Sequence, residues 1–257
     1  MSQDFSGQVA FITGGSDGIG RATAELLAER GATVVVCARG AEKLKATGDA
    51  IDAAGGKVET HQLDVTDSEA FAGLIEDVAK RHGRLDMMVN NAMAVHYAPI
   101  SQLKLEHWRK DFAVNADAVF VGTKAAMDIM MAAGKGSIVN ISSTTAIRAA
   151  PYMSSYSASK AALIQFTAVA AMEAARSGVR LNAIVPGQVQ TAANEDFAAK
   201  APEVAEKTKD AIPMGRGGEP KELAESIIFM LSDAASYITG VALPVDGGKA
   251  AQLYLPS

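Results

Sequence analysis

Between residues 8 and 31 the chain reads QVAFITGGSDGIGRATAELLAERG, and few folds accommodate that order. Four apolar residues, Val9-Ala10-Phe11-Ile12, run into Thr13-Gly14-Gly15-Ser16-Asp17-Gly18-Ile19-Gly20. Residues 21–30 then carry helical periodicity, with Ala22, Leu26 and Leu27 on one face and Gly31 as a stop. Strand, glycine turn and helix start thus follow one another without a break. Glycines let backbone turn sharply and approach a ligand, and a helix N-terminus offers unpaired N–H groups and positive potential to a phosphate. Many such turns are only turns, so the rest of the chain has to decide.

Downstream, short apolar runs alternate with helical segments. Strands are predicted at 33–38, 58–63, 85–89, 137–141, 179–185 and 241–245, and helices at 41–54, 103–131, 155–176 and 220–231. The 103–131 stretch is expected to break near its start, and a short helix is expected near 202–210 within a polar loop. Thr66-Asp67-Ser68-Glu69 reads as a capping box, opening a helix that ends in Arg81-His82 before Gly83. Strands that are mostly apolar on both faces and separated by helices predict a parallel sheet covered on both sides. Right-handed crossovers make that a doubly wound α/β fold with seven strands, its ligands at the carboxyl ends. Gly14 to Gly20, Arg39, Asp64, Asn90, Ser142-Ser143 and Pro186-Gly187 all fall at those ends.

Size and composition narrow the function. The 257 residues fill one large core, and no period or low-complexity linker divides them. One domain is expected, with a coenzyme half over about 1–150, a catalytic half over about 151–257 and a substrate loop near 190–216. A net charge of −5 without a long basic run argues against a nucleic-acid surface. The lone Cys37 lies in an apolar strand, and His61, His82, His96 and His107 show no ligand spacing, so no disulfide framework and no metal site is expected. Residues 161–175 form the most apolar long stretch. Gln165, Thr167 and Glu173 interrupt it, so no membrane span is expected, and the start of the chain carries no targeting pattern. A soluble cytoplasmic protein is the resulting expectation. The helix over 155–176 is apolar nearly all round, which calls for partners on both faces and points to an oligomer.

Tyr156 and Lys160, four apart near a helix start, share a face. A phenol with an ordinary pKa of about 10 is a poor base, and a nearby ammonium favours the phenolate. Such a tyrosine can give a proton to a carbonyl oxygen or take one from an alcohol, while Ser143 donates to the same oxygen. Taken alone, the pair is equally a chance feature of a helix surface.

Taken together, the motifs resemble the classical short-chain dehydrogenase/reductase family over nearly the whole chain. They are TGGSDGIG at 13–20, Asp64-Val65, Asn90-Asn91-Ala92-Met93, Val114-Asn115, Asn140-Ile141-Ser142-Ser143, YSASK at 156–160, PGQVQT at 186–191, GRGGEP at 215–220 and PVDGG at 244–248. The resemblance implies a Rossmann fold and oxidoreduction of a small carbonyl or alcohol. It makes Tyr156 the proton donor/acceptor, with Lys160 lowering its pKa and holding the ribose hydroxyls. Ser143 would orient the substrate oxygen, and Asn115 would support a water that links Lys160 to a proton relay. Gly14, Ser16, Asp17, Gly18, Ile19 and Gly20 would surround the pyrophosphate. Asp64 and Val65 would flank the adenine, and Asn90 and Ala92 would line the ribose. Pro186, Gly187, Val189 and Thr191 would lie along the nicotinamide. The family is usually tetrameric through helices corresponding to 103–131 and 155–176; a dimer is the alternative.

Four positions bear most on specificity. The family's motif usually ends in glycine where this chain has Met93, so the thioether either shapes the substrate pocket or displaces backbone. Ala38 stands where a carboxylate would bind the ribose hydroxyls of NAD(H), and Arg39 beside it suits a 2′-phosphate. Both favour NADP(H); the acid at Asp17 favours NAD(H). Met93, Ala94, His96, Thr145, Met153 and Gln188 are candidate substrate-pocket residues, and their mostly apolar character predicts a neutral ketone or secondary alcohol. A 3-oxoacyl-thioester reductase and a non-catalytic nucleotide-binding protein are the competing readings.

Overall fold

The computed structural model describes residues 4–191, 194 and 199–252. Seven strands form one parallel sheet: β1 (Val9–Thr13), β2 (Thr33–Ala38), β3 (Lys57–Gln62), β4 (Met87–Asn90), β5 (Gly136–Ile141), β6 (Val179–Pro186) and β7 (Ala242–Val245). Their spatial order, β3-β2-β1-β4-β5-β6-β7, reverses direction beside β1. That is the doubly wound Rossmann arrangement the alternation predicted, and it opens a crevice at the carboxyl ends of β1 and β4.

Eight helices are described: α1 (Gly18–Glu29), α2 (Ala41–Ala53), α3 (Ser68–His82), α4 (Leu105–Phe112), α5 (Ala118–Ala133), α6 (Ser154–Ala174), α7 (Pro202–Asp210) and α8 (Pro220–Leu231). Successive strand residues face opposite sides of the sheet and feed two cores. Ala10 and Ile12 of β1 pack with Leu27 of α1, Leu44 of α2 and Ile227 of α8. Val9 and Phe11 pack with Phe71 of α3, Met130 of α5 and Ala171 of α6. Cys37 is fully buried, and burial pushes its thiol up to about 12.

Three local readings are corrected, and the break expected in the 103–131 helix is located. Asp67, not Thr66, caps α3, its carboxylate accepting from the Ala70 N–H at 3.1 Å. The shorter acid reaches the third N–H directly, leaving Thr66 to donate its hydroxyl to Asp64 at 2.8 Å. The edge strand β3 is polar and partly exposed, because only β2 pairs with it. The predicted 103–131 helix is two helices joined by a π-turn at Ala113–Asp117, where the Ala118 N–H reaches back to the Ala113 carbonyl. The first helix begins at Gly18 rather than residue 21, with Asp17 accepting from the Gly18 N–H at 2.8 Å. Among the described residues, no helix is long and apolar enough to cross a membrane.

Candidate active site

The glycine turn is held open by contacts that leave no room for side chains. Gly14 and Gly18 take φ of +64° and +52°, which L side chains rarely adopt. A Cβ on Gly20 would meet the Gly14 carbonyl oxygen at 2.4 Å, and one on Gly18 would meet Thr191 Cγ2 at 3.1 Å. The turn is tied to the end of β4 by two residues that received no role from the sequence. Thr13 Oγ1 accepts from the Asn91 and Ala92 N–H groups at 2.9 and 3.0 Å. The Asn91 amide donates to the Thr13 and Gly14 carbonyls at 3.0 and 3.1 Å. The doubled Asn90-Asn91 was the available signal. With Asp17 engaged on Gly18, the N–H groups of Ile19 and Gly20 point from the helix start without intrahelical acceptors. Ser16 lies half-buried in the same turn. Such a cradle fits the pyrophosphate of a dinucleotide.

Around it, Ala38 ends β2 buried, and Arg39 follows it exposed. Asp64 is held below the usual carboxylate range, chiefly by the Thr66 N–H, and Arg39 adds to this; Val65 beside it is buried. Asp17 is likewise held low, first by Lys43, whose ammonium pairs with it. Gly187 donates to the Val245 carbonyl at 3.1 Å and sits against Asp246, fixing the turn after Pro186. Val189 is bridged to Gly218. Asn90 does not present its amide to the crevice. It donates to Asn140 Oδ1 at 2.8 Å and Thr123 Oγ1 at 3.1 Å in a buried network, leaving only its main chain for a ligand.

Tyr156, Lys160 and Ser143 converge at the end of β5. The Ser143 hydroxyl lies close enough to the phenol of Tyr156 to favour its ionised form. Ser143 Oγ also accepts from the Thr145 N–H at 3.2 Å and hydroxyl at 3.1 Å, so Thr145 orients the serine. Lys160 is fully buried; its ammonium donates to the Ile141 carbonyl at 2.7 Å and lies 5.9 Å from the Tyr156 ring centre. Ser142 is structural, donating to the Lys160 carbonyl at 2.9 Å.

The expected lowering of the Tyr156 pKa by Lys160 is overturned within the chain itself. Burial pushes the phenol up, with Ser143 opposing and the charges of Tyr97 and Asp111 adding to the rise. Lys160 is pushed down to about 7 by its own burial, so it carries only part of its positive charge near neutrality.

The side chain of Asn115 is likewise committed to the scaffold. Its amide nitrogen donates to the Ala94 carbonyl at 2.8 Å and Ser159 Oγ at 3.1 Å, and its oxygen accepts from the Ala94 N–H at 3.0 Å. It clamps the loop after β4 to α6. Met93 takes an ordinary negative φ, since Tyr152 alone among described non-glycine residues has a positive one. The position therefore needs no left-handed backbone that would demand glycine, and half the methionine's surface is exposed. His96 is bound to a carboxylate unforeseen from the sequence, its Nδ1 lying 2.6 Å from Asp111 Oδ1. Met153 precedes α6, and the Gln188 amide oxygen is buried without a partner. Among the described residues no cluster could hold a metal ion.

A family model described as enoyl-(acyl carrier protein) reductase matches residues 14–250. Similar proteins include 3-oxoacyl-[acyl-carrier-protein] reductase FabG of Thermotoga maritima, 38% identical over 94% of this chain and 97% of its own. The chain belongs to the short-chain dehydrogenase/reductase family. Also similar is 2,5-dichloro-2,5-cyclohexadiene-1,4-diol dehydrogenase LinX of Sphingobium indicum, 40% identical over 96% of this chain and 98% of its own. Among solved structures, a candidate NAD(P)-dependent gluconate 5-dehydrogenase from Beutenbergia cavernae, with NADP bound at low occupancy, is 36% identical. It superposes with a TM-score of 0.92 over 98% of this chain and 100% of its own. As a member, this short-chain dehydrogenase/reductase is an oxidoreductase of alcohol and carbonyl substrates that uses NAD(P).

Proposed function

We propose that this protein is an NADP(H)-dependent reductase of neutral ketones, and in reverse a dehydrogenase of the matching secondary alcohols. The carrying observation is the convergence of buried Tyr156 and Ser143 with Lys160, whose ammonium lies 5.9 Å from the Tyr156 ring centre. Bound NADPH supplies the hydride. Tyr156 holds the proton that the developing alkoxide takes, and a phenol pushed up by burial carries that proton at neutral pH. Ser143 donates to the same oxygen, its own acceptor side being occupied by Thr145. Lys160 holds the ribose hydroxyls and passes protons onward from Tyr156. Reduction is thus the direction the protein's own groups favour near neutrality.

Ala38 and Arg39 support NADP(H), since the first offers no carboxylate to the ribose and the second suits a phosphate dianion. Asp17, which argued for NAD(H), is paired with Lys43, so its charge opposes a phosphate less than its sequence position implied. The exposed Met93, Tyr97 and Tyr152 support an apolar substrate, and LinX, named for a cyclic diol, is a precedent for an alicyclic one. The similarity to FabG supports a second reading, a 3-oxoacyl-thioester reductase. Exposed Phe120 of α5, with Val169 and Met172 of α6, supports a homotetramer built through these helices, or a dimer.

A panel of alicyclic ketones, linear ketones and a carrier-linked 3-oxoacyl thioester, each followed by nicotinamide absorbance with NADPH and NADH, tests the reading. Turnover of free alicyclic ketones with NADPH is expected. Reduction of the thioester alone, or with NADH alone, would overturn it.

A further inference from the structure

Asp111 lies near the end of α4, and its side chain is wholly buried. Three donors converge on it. Ser155 Oγ donates to Oδ2, His96 Nδ1 sits 2.6 Å from Oδ1, and the His96 N–H donates to Oδ2 at 3.3 Å. The His96 ring stacks on His107 of the same helix, with centres 4.4 Å apart and planes within 10°. Taking a carboxylate out of water costs several kcal/mol unless its lone pairs are used, as they are here.

The donors come from the two elements whose spacing matters most to the cleft. His96 belongs to the loop after β4, which Asn115 clamps at Ala94. Ser155 immediately precedes Tyr156 in the first turn of α6. We propose that Asp111 is a positioning residue for proton transfer: it locks the Tyr156 turn to the loop beside the cleft. The inference rests on Tyr156 being the proton donor and acceptor.

The groups facing Tyr156 can be named element by element. Lys160 comes from its own helix, Tyr97 from the loop and Asp111 from α4; the latter two push the phenol up. Asp111 itself faces His96 from the loop and Ser155 from α6, with His107 behind His96. Removing the charge on Asp111 while keeping its shape therefore lets Tyr156 ionise at lower pH.

The test is the pH profile of alcohol oxidation by purified D111N, beside wild type, Y156F and S155A. For D111N, the limb that rises with pH is expected to move down, with coenzyme Kd within about twofold of wild type. S155A keeps the charge and loses one tether, so kcat is expected to fall about threefold or more with the limb in place. A D111N limb that superimposes on wild type overturns the inference. Should D111N fail to fold, an unchanged kcat in S155A overturns it. If Y156F keeps wild-type turnover, the parent reading fails instead; an inactive Y156F with an unmoved D111N limb sinks only the role of Asp111.

Discussion

The ammonium of Lys160 lies 5.9 Å from the centre of the Tyr156 ring and donates to the Ile141 carbonyl at 2.7 Å, and both side chains are buried. Both ionisable groups are biased toward their neutral forms by this arrangement: the phenol is pushed up and the amine down to about 7. Neutral Tyr156 is the acid that carbonyl reduction requires, whereas alcohol oxidation requires its conjugate base.

Reduction of a ketone should therefore hold its rate through neutral pH and fall only as Tyr156 ionises, while oxidation of the alcohol rises over the same range. Steady-state kcat/KM in both directions, measured across pH 6 to about 10.5, checks this against the expected limits of phenol titration. An oxidation profile flat above neutrality would contradict it.

Stability carries the mark of the same lysine. With a folded pKa of about 7 against an ordinary 10.5, Lys160 binds fewer protons in the folded than in the unfolded chain between those values. The cost of burying its charge is present in full below about 7 and is relieved as pH rises, by at most about 1.4 kcal/mol per unit. Denaturant midpoints should climb with pH over that window, and K160M should flatten the slope while removing turnover.

Coenzyme choice is tested at the end of β2. R39A should weaken NADPH by about 2 kcal/mol, roughly thirtyfold in Kd, with NADH nearly unaffected. A38D should move preference the other way by giving the ribose hydroxyls an acceptor and the phosphate a repulsion. Fluorescence titrations with each coenzyme measure both.

At Met93 the backbone makes no demand for glycine. M93G should leave coenzyme Kd and kcat within about twofold, raise KM for an alicyclic ketone, and cost about 0.5–1 kcal/mol through added chain freedom. Thermal melts and initial rates distinguish this from a variant that restores a damaged site, in which kcat would rise.

Much of this was legible in the sequence because the sheet buries both faces. Apolar runs such as Thr33–Ala38 and Val179–Pro186 can be little else, and the polar residues at their ends mark the crevice. The Tyr156 and Lys160 spacing was equally readable, but the electrostatics were not. Spacing places an ammonium near a phenol; only packing shows that both are buried, which reverses the expected shift. Asp111 was hidden for a related reason. In LEHWRKDF it looks like one more charge on a solvated helix face, and its burial depends on donors from Ser155 and His96, far away in the chain. Asn90 and Asn115 were found as positions, but their amides serve the scaffold through partners on other elements.

Replacing one oxygen tests the central claim most directly. Y156F keeps the ring that packs beside Lys160 and removes only the hydroxyl near Ser143. NADPH should still bind with a Kd within about threefold of wild type, while kcat for ketone reduction falls by about 10²–10⁴. Turnover close to that of wild type would contradict the assignment of Tyr156 as the proton donor.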